Sequence, residues 1–295
     1  MKATILDVKR FEMHDGDGMR TTLFLKGCPL RCKWCHNPES FTATPKLAFY
    51  AGKCVNCGSC SLVCEHGAHK TAEAKHVFLP DKCVGCGKCV AVCPQNALKL
   101  FGMRMDAKEA AAKLLEDRDF YAATGGGVTV SGGEPLMQAD FCAELFSILK
   151  AENINCALDT SLFANRSEID KVLPYTDTFL VDIKAVDEKT HERCTGRSNA
   201  LILSNLRYVD SAGKNIEIRI PYVPGYNEST ATDAIDILLS LGHLKGVRIL
   251  PYHDFASAKY AALGMKFERI ALPSKEEILK TERILEERGI NIIRY

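Results

Sequence analysis

Charge of one sign is what this 295-residue sequence lacks first: 38 basic side chains stand against 37 acidic ones, spread along the chain rather than gathered in a tail. A balance of +1 offers no electrostatic footprint for nucleic acid or anionic lipid, and neither is expected as a partner. Long apolar runs are missing too. The opening segment Thr4-Ile5-Leu6-Asp7-Val8 is too short and too interrupted for a secretory signal, and no run approaches membrane-spanning length. No membrane association is expected, and the cytoplasm is the expected location. At 46% hydrophobic, the chain can still bury a core for one large α/β domain or a medium domain with an insertion.

Cysteine is scarce in the back of the chain and dense in the front. Eleven of fourteen cysteines fall between Cys28 and Cys93, leaving only Cys142, Cys156 and Cys194 beyond. In a reducing compartment thiolates at short fixed spacings are read as metal ligands rather than disulfides. The stretch 49–100 also has few large apolar residues, but eight cysteines and five glycines. Such a segment builds little core without metal, so it reads as a small inserted domain, with 1–48 and 101–295 forming the main domain.

Past residue 100, short apolar runs alternate with amphipathic stretches. Strands are expected at 127–131, 154–160, 177–184, 215–221, 247–251 and 290–294, and helices at 138–151, 199–212, 229–242 and 274–288, the last capped by Ser274. This is the βαβ pattern of a parallel sheet, and with a strand at 21–26 it predicts a barrel or partial barrel.

Within the insert, Lys53-Cys54-Val55-Asn56-Cys57-Gly58-Ser59-Cys60 is echoed 29 residues later by Lys82-Cys83-Val84-Gly85-Cys86-Gly87-Lys88-Cys89. Each unit has the spacing C-x2-C-x2-C-x3-C, and the second ends in Cys93-Pro94, the run of bacterial two-cluster ferredoxins. The fourth cysteine crosses over in such folds. The expected sets are therefore Cys54, Cys57, Cys60 with Cys93, and Cys83, Cys86, Cys89 with Cys64, each on a [4Fe-4S] cluster. Structural zinc is the alternative, but zinc sites space two C-x2-C pairs apart rather than packing four cysteines in a run. The first unit carries Glu65 where proline is usual.

The remaining group, Cys28-Pro29-Leu30-Arg31-Cys32-Lys33-Trp34-Cys35, has three cysteines at C-x3-C-x2-C. A cubane held there keeps one iron free of protein ligands, open to a cofactor or substrate. With its aromatic before the third cysteine, the motif resembles the radical S-adenosylmethionine (SAM) signature. Asp15-Gly16-Asp17-Gly18-Met19-Arg20-Thr21, His36-Asn37-Pro38-Glu39, Ser131-Gly132-Gly133-Glu134-Pro135, Asp182-Ile183-Lys184 and Pro251-Tyr252-His253 accompany it in order. Over essentially its whole length the chain resembles the glycyl radical enzyme activating enzymes that carry a two-cluster insert. One departure is Asp17, where many relatives have proline; the flanking glycines then shape the turn.

The resemblance implies a partial (β/α)6 TIM-like barrel with a ferredoxin-like insert, and an oxidoreductase of anaerobic metabolism. Its cofactors would be three [4Fe-4S] clusters and SAM. The open iron on Cys28, Cys32 and Cys35 would chelate SAM, one electron would cleave it, and the 5′-deoxyadenosyl radical would take hydrogen from a glycine of a partner glycyl radical enzyme. Trp34 would pack near adenine, with His36 beside it in the same loop. Gly132 and Gly133 would leave room for the methionine amino group, which Glu134 would help to hold. Lys184 and Arg219 would meet the carboxylate, His253 would lie near the adenosyl group, and Asp15 would contact the substrate loop. Asp159 and Asp182 would help bind SAM and a monovalent cation. Ferredoxin or flavodoxin would donate the electron, and a monomer is expected.

As residues alone, Ser-Gly-Gly-Glu reads equally as a strand-ending turn, the Asp159 and Asp182 edge as a solvated rim, Arg219 as a rim salt bridge and His253 as a satisfied core residue. Cys142, Cys156 and Cys194 match no ligand spacing and read as structural. The insert's clusters read as an electron relay or as a structural element. Two rivals share features: a radical SAM enzyme acting on another peptide or a small molecule, and a plain electron carrier. The first has no need of the 15–20 segment in these spacings; the second leaves the Cys28 group without a purpose.

Overall fold

The computed structural model describes residues 1–73 and 75–294. Its strands are β1 (Lys2–Glu12), β2 (Arg20–Leu25), β3 (Lys46–Phe49), β4 (His69–Ala72), β5 (Lys75–Phe78), β6 (Leu98–Phe101), β7 (Met103–Asp106), β8 (Gly127–Gly132), β9 (Asn155–Thr160), β10 (Thr178–Asp182), β11 (Asn215–Tyr222) and β12 (Leu244–Pro251). Eight of them form one sheet in the order β12-β11-β10-β9-β8-β2-β1-β7. From β2 to β12 neighbouring strands are parallel, while β1 and β7 flank them antiparallel. Six parallel strands, β2 and β12 at their ends not paired with each other, make the partial barrel that the βαβ alternation implies.

The parallel strands are buried on both faces, β8 and β10 almost throughout, as strands under crossover helices must be. The helix Ala139–Ala151 buries Phe141, Cys142, Leu145, Phe146 and Leu149, an i, i+3/i+4 stripe, and the helix Lys275–Glu287 starts at a capping box of Ser274 and Glu277. Two expectations change. The helix expected at 229–242 is two short ones, Thr230–Asp233 and Ile235–Ser240, the second ending early because β12 already starts at Leu244. The strand expected at 290–294 is a single parallel bridge, Ile292 to Val247, which covers the outer edge of β12. No described helix is long and apolar enough to cross a membrane.

The cysteine-rich segment has two small sheets, β3 with β6 and β4 with β5. Each unit of the repeat turns through a left-handed glycine, Gly58 (φ 78°) or Gly87 (φ 79°), into a four-residue helix, Ser59–Leu62 or Lys88–Ala91. Glu65, the residue in place of the usual proline, pairs with Lys88 of the other unit at 2.6 Å. The pairing of β3 with β6 spans the expected borders of the insert, since β3 begins at Lys46. Ala48 and Phe101 of this pair pack on Ala262 and Leu263, joining insert to barrel.

Candidate active site

The ends of the parallel strands open onto one cleft of about 1490 Å3, its open mouth included. Cys28, Cys32 and Cys35 line it, on the loop that follows β2, and no other cysteine does. Cys194 is buried nearby, but its Sγ faces the Tyr226 carbonyl at 4.0 Å. Burial pushes the Cys28 thiol up to about 12 and raises Cys32 and Cys35 as well. Such thiols give up their protons to a metal rather than to solvent. The backbone N–H of Asn37 already points at Cys35 Sγ, 3.4 Å away. Three convergent thiols with an N–H aimed at sulfur are a donor set that fits an iron–sulfur cluster and leaves one metal vertex to a non-protein ligand.

The opposite wall is charged. Asp159 ends β9, Asp182 ends β10 with Lys184 just beyond, and Arg219 sits at the same level on β11, its Cα register partner being Asp182. Lys184 Nζ lies 2.6 Å from Asp182. Burial opposes the Lys184 charge, yet Asp182 and the nearby Cys32 outweigh it and hold the ammonium above its ordinary pKa. Arg219 is 5% exposed and reaches Asp15 at 3.4 Å, Asp159 at 3.5 Å and Glu217 at 3.4 Å, while Arg248 Nε bonds Glu217 at 3.0 Å. Burial pushes Asp159 up to about 7 against the pull of Arg219, with Asp182 and Asp15 adding to the rise. A buried cation meets its carboxylates here, rather than a solvated rim.

Asp15 is fixed from three sides. Its Oδ2 accepts from Thr22 Oγ1 at 2.7 Å, its carbonyl from Thr129 Oγ1 at 2.6 Å, and its Oδ1 faces Arg219. The turn that follows carries Gly16 (φ 118°) and Gly18 (φ 65°), and a Cβ on Gly18 would overlap the backbone of Thr124 and Gly126. Asp17 pairs with Lys245 across the barrel end. The glycines shape this turn without proline, as the sequence suggests.

At the far end, His36 stacks on His253 with ring centres 3.8 Å apart, and its Nε2 meets the His253 carbonyl at 2.8 Å. Burial, with the His253 charge second, pulls His36 down to about 4 and keeps it neutral. Trp34 is buried and packs edge-on to Tyr226, ring centres 6.0 Å apart. Lys259 clamps the loop, donating to the His36 carbonyl (3.0 Å), Asn37 Oδ1 (2.9 Å) and Glu39 Oε1 (2.7 Å).

Two smaller cavities, about 360 and 340 Å3, lie in the insert. Cys54, Cys57, Cys60 and Cys93 line one, and Cys64, Cys83, Cys86 and Cys89 line the other. Backbone N–H groups meet sulfur at repeat-related positions: Asn56 to Cys54 and Gly85 to Cys83, each at 3.4 Å, and Ala68 to Cys64 (3.2 Å) and Ala97 to Cys93 (3.3 Å). Eight cysteines in two closed sets of four, with amides on their sulfurs, suit cubane clusters.

Comparison with known proteins matches residues 82–238 to the Radical SAM superfamily and residues 49–100 to the 4Fe-4S dicluster domain. The trans-4-hydroxy-L-proline dehydratase activating enzyme of Clostridioides difficile is 38% identical over 99% of this chain and 98% of its own. The (2S)-3-sulfopropanediol dehydratase activating enzyme of Klebsiella oxytoca is 38% identical over 90% of this chain and 86% of its own. The chain belongs to the glycyl radical enzyme activating enzymes. It is thereby a radical SAM oxidoreductase that works with iron–sulfur clusters and SAM. A radical SAM methyltransferase structure from Sphaerobacter thermophilus, 17% identical, covers 99% of this chain and 77% of its own with a TM-score of 0.56, a likeness of fold.

In this activating enzyme the cleft gathers Asp15, Trp34, His36, Gly132, Gly133, Asp159, Asp182, Lys184, Arg219 and His253 around the three cysteines. Glu134 is not among the cleft residues. Its carboxylate is buried and accepts from Thr160 Oγ1 (2.6 Å), Ser161 Oγ (2.6 Å), Ser161 N (2.9 Å) and Leu136 N (3.1 Å), so it buckles the end of β8 to the end of β9. The two glycines also have a reason within the chain: a Cβ on Gly132 would overlap the Leu25 backbone, and one on Gly133 the Gly27 carbonyl. Sequence reasoning missed Ser131, which donates to Asp159 at 2.5 Å, the Glu217–Arg248 pair and the Lys259 clamp. It also passed over Asn227, two residues before the helix expected at 229–242. The Asn227 side chain donates to the Lys184 and Pro221 carbonyls and accepts from Val223 N, bracing the loop that presents Lys184.

Proposed function

We propose that residues 1–48 and 101–295 form the radical-generating barrel of this activator, that residues 49–100 are its two-cluster insert, and that three [4Fe-4S] clusters serve the whole. Cys28, Cys32 and Cys35 hold the cluster at the cleft. When bound there with SAM, that cluster supplies the electron for reductive cleavage of the cofactor, and the activator's product is a glycyl radical on its partner. The carrying observation is that the cleft contains three thiols and no fourth, opposite a wall of fixed charge.

The chain's own residues then bind and orient. Lys184, braced by Asn227 and held cationic by Asp182, offers its ammonium to the cofactor carboxylate. Arg219 fixes Asp15 and Asp159 in place, which supports Arg219 as an organiser of the carboxylates more than as a direct cofactor ligand. The Asp159 and Asp182 carboxylates offer oxygen ligands for a monovalent cation. Trp34, His36 and His253 supply a flat, neutral surface that suits a purine. The partner is a glycyl radical enzyme. A ferredoxin or flavodoxin donates the electron, and the activator acts as a monomer.

The test mixes the anaerobically reduced protein, SAM and the glycyl radical enzyme encoded beside this gene, followed by EPR. An organic radical signal that needs all three components is expected. Release of 5′-deoxyadenosine without any protein radical, across candidate partners, would overturn the partner assignment.

A further inference from the structure

The insert's two cavities are not equivalent, although the repeat that builds them is. Strand β3 (Lys-Leu-Ala-Phe) recurs 29 residues later as β5 (Lys-His-Val-Phe), and β4 as β6, so His76 occupies the position of Leu47 and His69 that of Leu98. Where one unit sets leucines, the other sets a histidine pair. His76 lines the cavity of Cys54, Cys57, Cys60 and Cys93, and His69 lines the other. The rings meet on one face of the β4–β5 hairpin, His69 Nδ1 to His76 Nε2 at 2.9 Å.

Both rings are held in place. His69 is buried and stacks on Phe78, ring centres 5.2 Å apart; His76 meets Phe49 edge-on at 4.5 Å, and its backbone N–H bonds Asn56 Oδ1 at 2.9 Å, on the loop that carries Cys54. One ring nitrogen of each histidine and Cys60 Sγ lie within 4.8 Å of one another. The other nitrogen of His76, Nδ1, is buried without a partner. A neutral imidazole carries one N–H and one bare nitrogen. If His69 donates to His76 Nε2, the His76 proton sits on Nδ1, and His76 shares its cavity wall with four cysteines and with Ser59 and Gln95. The opposite tautomer would leave that buried nitrogen with a bare lone pair. A buried donor needs an acceptor, and Cys60 Sγ lies within 4.8 Å of the histidine pair.

Resting on the cluster reading given under Proposed function, we infer that His76 donates a hydrogen bond from Nδ1 to the cluster held by Cys54, Cys57, Cys60 and Cys93. His69 is the residue that positions it. A donor stabilises the extra negative charge of the reduced cluster and raises its potential. Leu47, at the sister position, supplies none. The pair of clusters is therefore graded, and the cluster beside His76 is the one that holds the electron.

The test is an EPR-monitored redox titration of the reconstituted full-length protein, wild type beside His76→Leu, which copies the sister position. One insert midpoint is expected to fall by about 59 mV, a tenfold change in the oxidised-to-reduced ratio of a one-electron couple, with the others unmoved. Iron analysis of the same samples separates two failures. Wild type lacking iron for two insert clusters overturns the cluster reading, whereas full iron with unmoved midpoints, or with both moved, overturns the hydrogen bond. If His76→Leu does not assemble its clusters, wild type labelled with 15N-histidine decides: nitrogen coupled to one reduced insert cluster supports the inference, and none at either overturns it.

Discussion

Glu134 and Lys26 show what single buried charges do in this chain. Glu134 gathers four donors from three residues, and Glu134→Ala leaves them facing nothing. A loss of about 3 kcal/mol in unfolding stability is expected by denaturant titration. SAM affinity of the folded fraction should be unchanged, and a large affinity loss at full stability would contradict the buckle. Lys26 is fully buried, donating to the Glu39 carbonyl and to Thr42 Oγ1. Burial, with Lys46 second, pulls it down to about 8. The unfolded chain keeps the ordinary lysine value near ~10.4, so between these pH values it binds more protons than the native state. The Lys26 penalty is full below pH 8, and stability should rise as pH climbs from 8 towards 10.5, a slope absent in Lys26→Met. At this scale spacing disclosed the thiols and motif order supplied the other cleft residues by resemblance, while the partners that hold them stayed hidden. Ligand spacing is written locally, as in Cys28, Cys32 and Cys35, while three of the four donors to Glu134 come from Thr160 and Ser161, more than two dozen residues away, and leave no spacing to read.

Among the elements, the parallel strands were legible because burial on both faces forces continuous apolar runs, as in Thr178–Asp182. The edges were not. Past Ile5 strand β1 buries no residue and its second half reads as polar, and the segment after the last helix makes one rung on β12 where its isoleucines suggest a strand. The helix Ser257–Ala262 is short and unremarkable in sequence, yet its Lys259 holds three groups of the loop that ends in Glu39. Lys259→Ala strands the buried Glu39 carboxylate and loosens the loop around Cys35. Iron bound at the cleft should be lost to a chelator about tenfold faster, with the insert's iron unaffected. Equal loss from both would assign Lys259 a general structural role.

For the whole molecule, the division of labour follows from counting thiols by cavity. Two cavities close on four cysteines each, and the cleft closes on three. The repeat made the first part legible, and the barrel places the third group at the strand ends, where charge from β9, β10 and β11 converges. The direct measurement is 5′-deoxyadenosine released from SAM by the anaerobically reduced protein, wild type beside Cys32→Ala, with iron content determined for both. Release is expected from wild type and none from Cys32→Ala, whose insert keeps its iron. Full release from Cys32→Ala, or none from an iron-replete wild type, would contradict it.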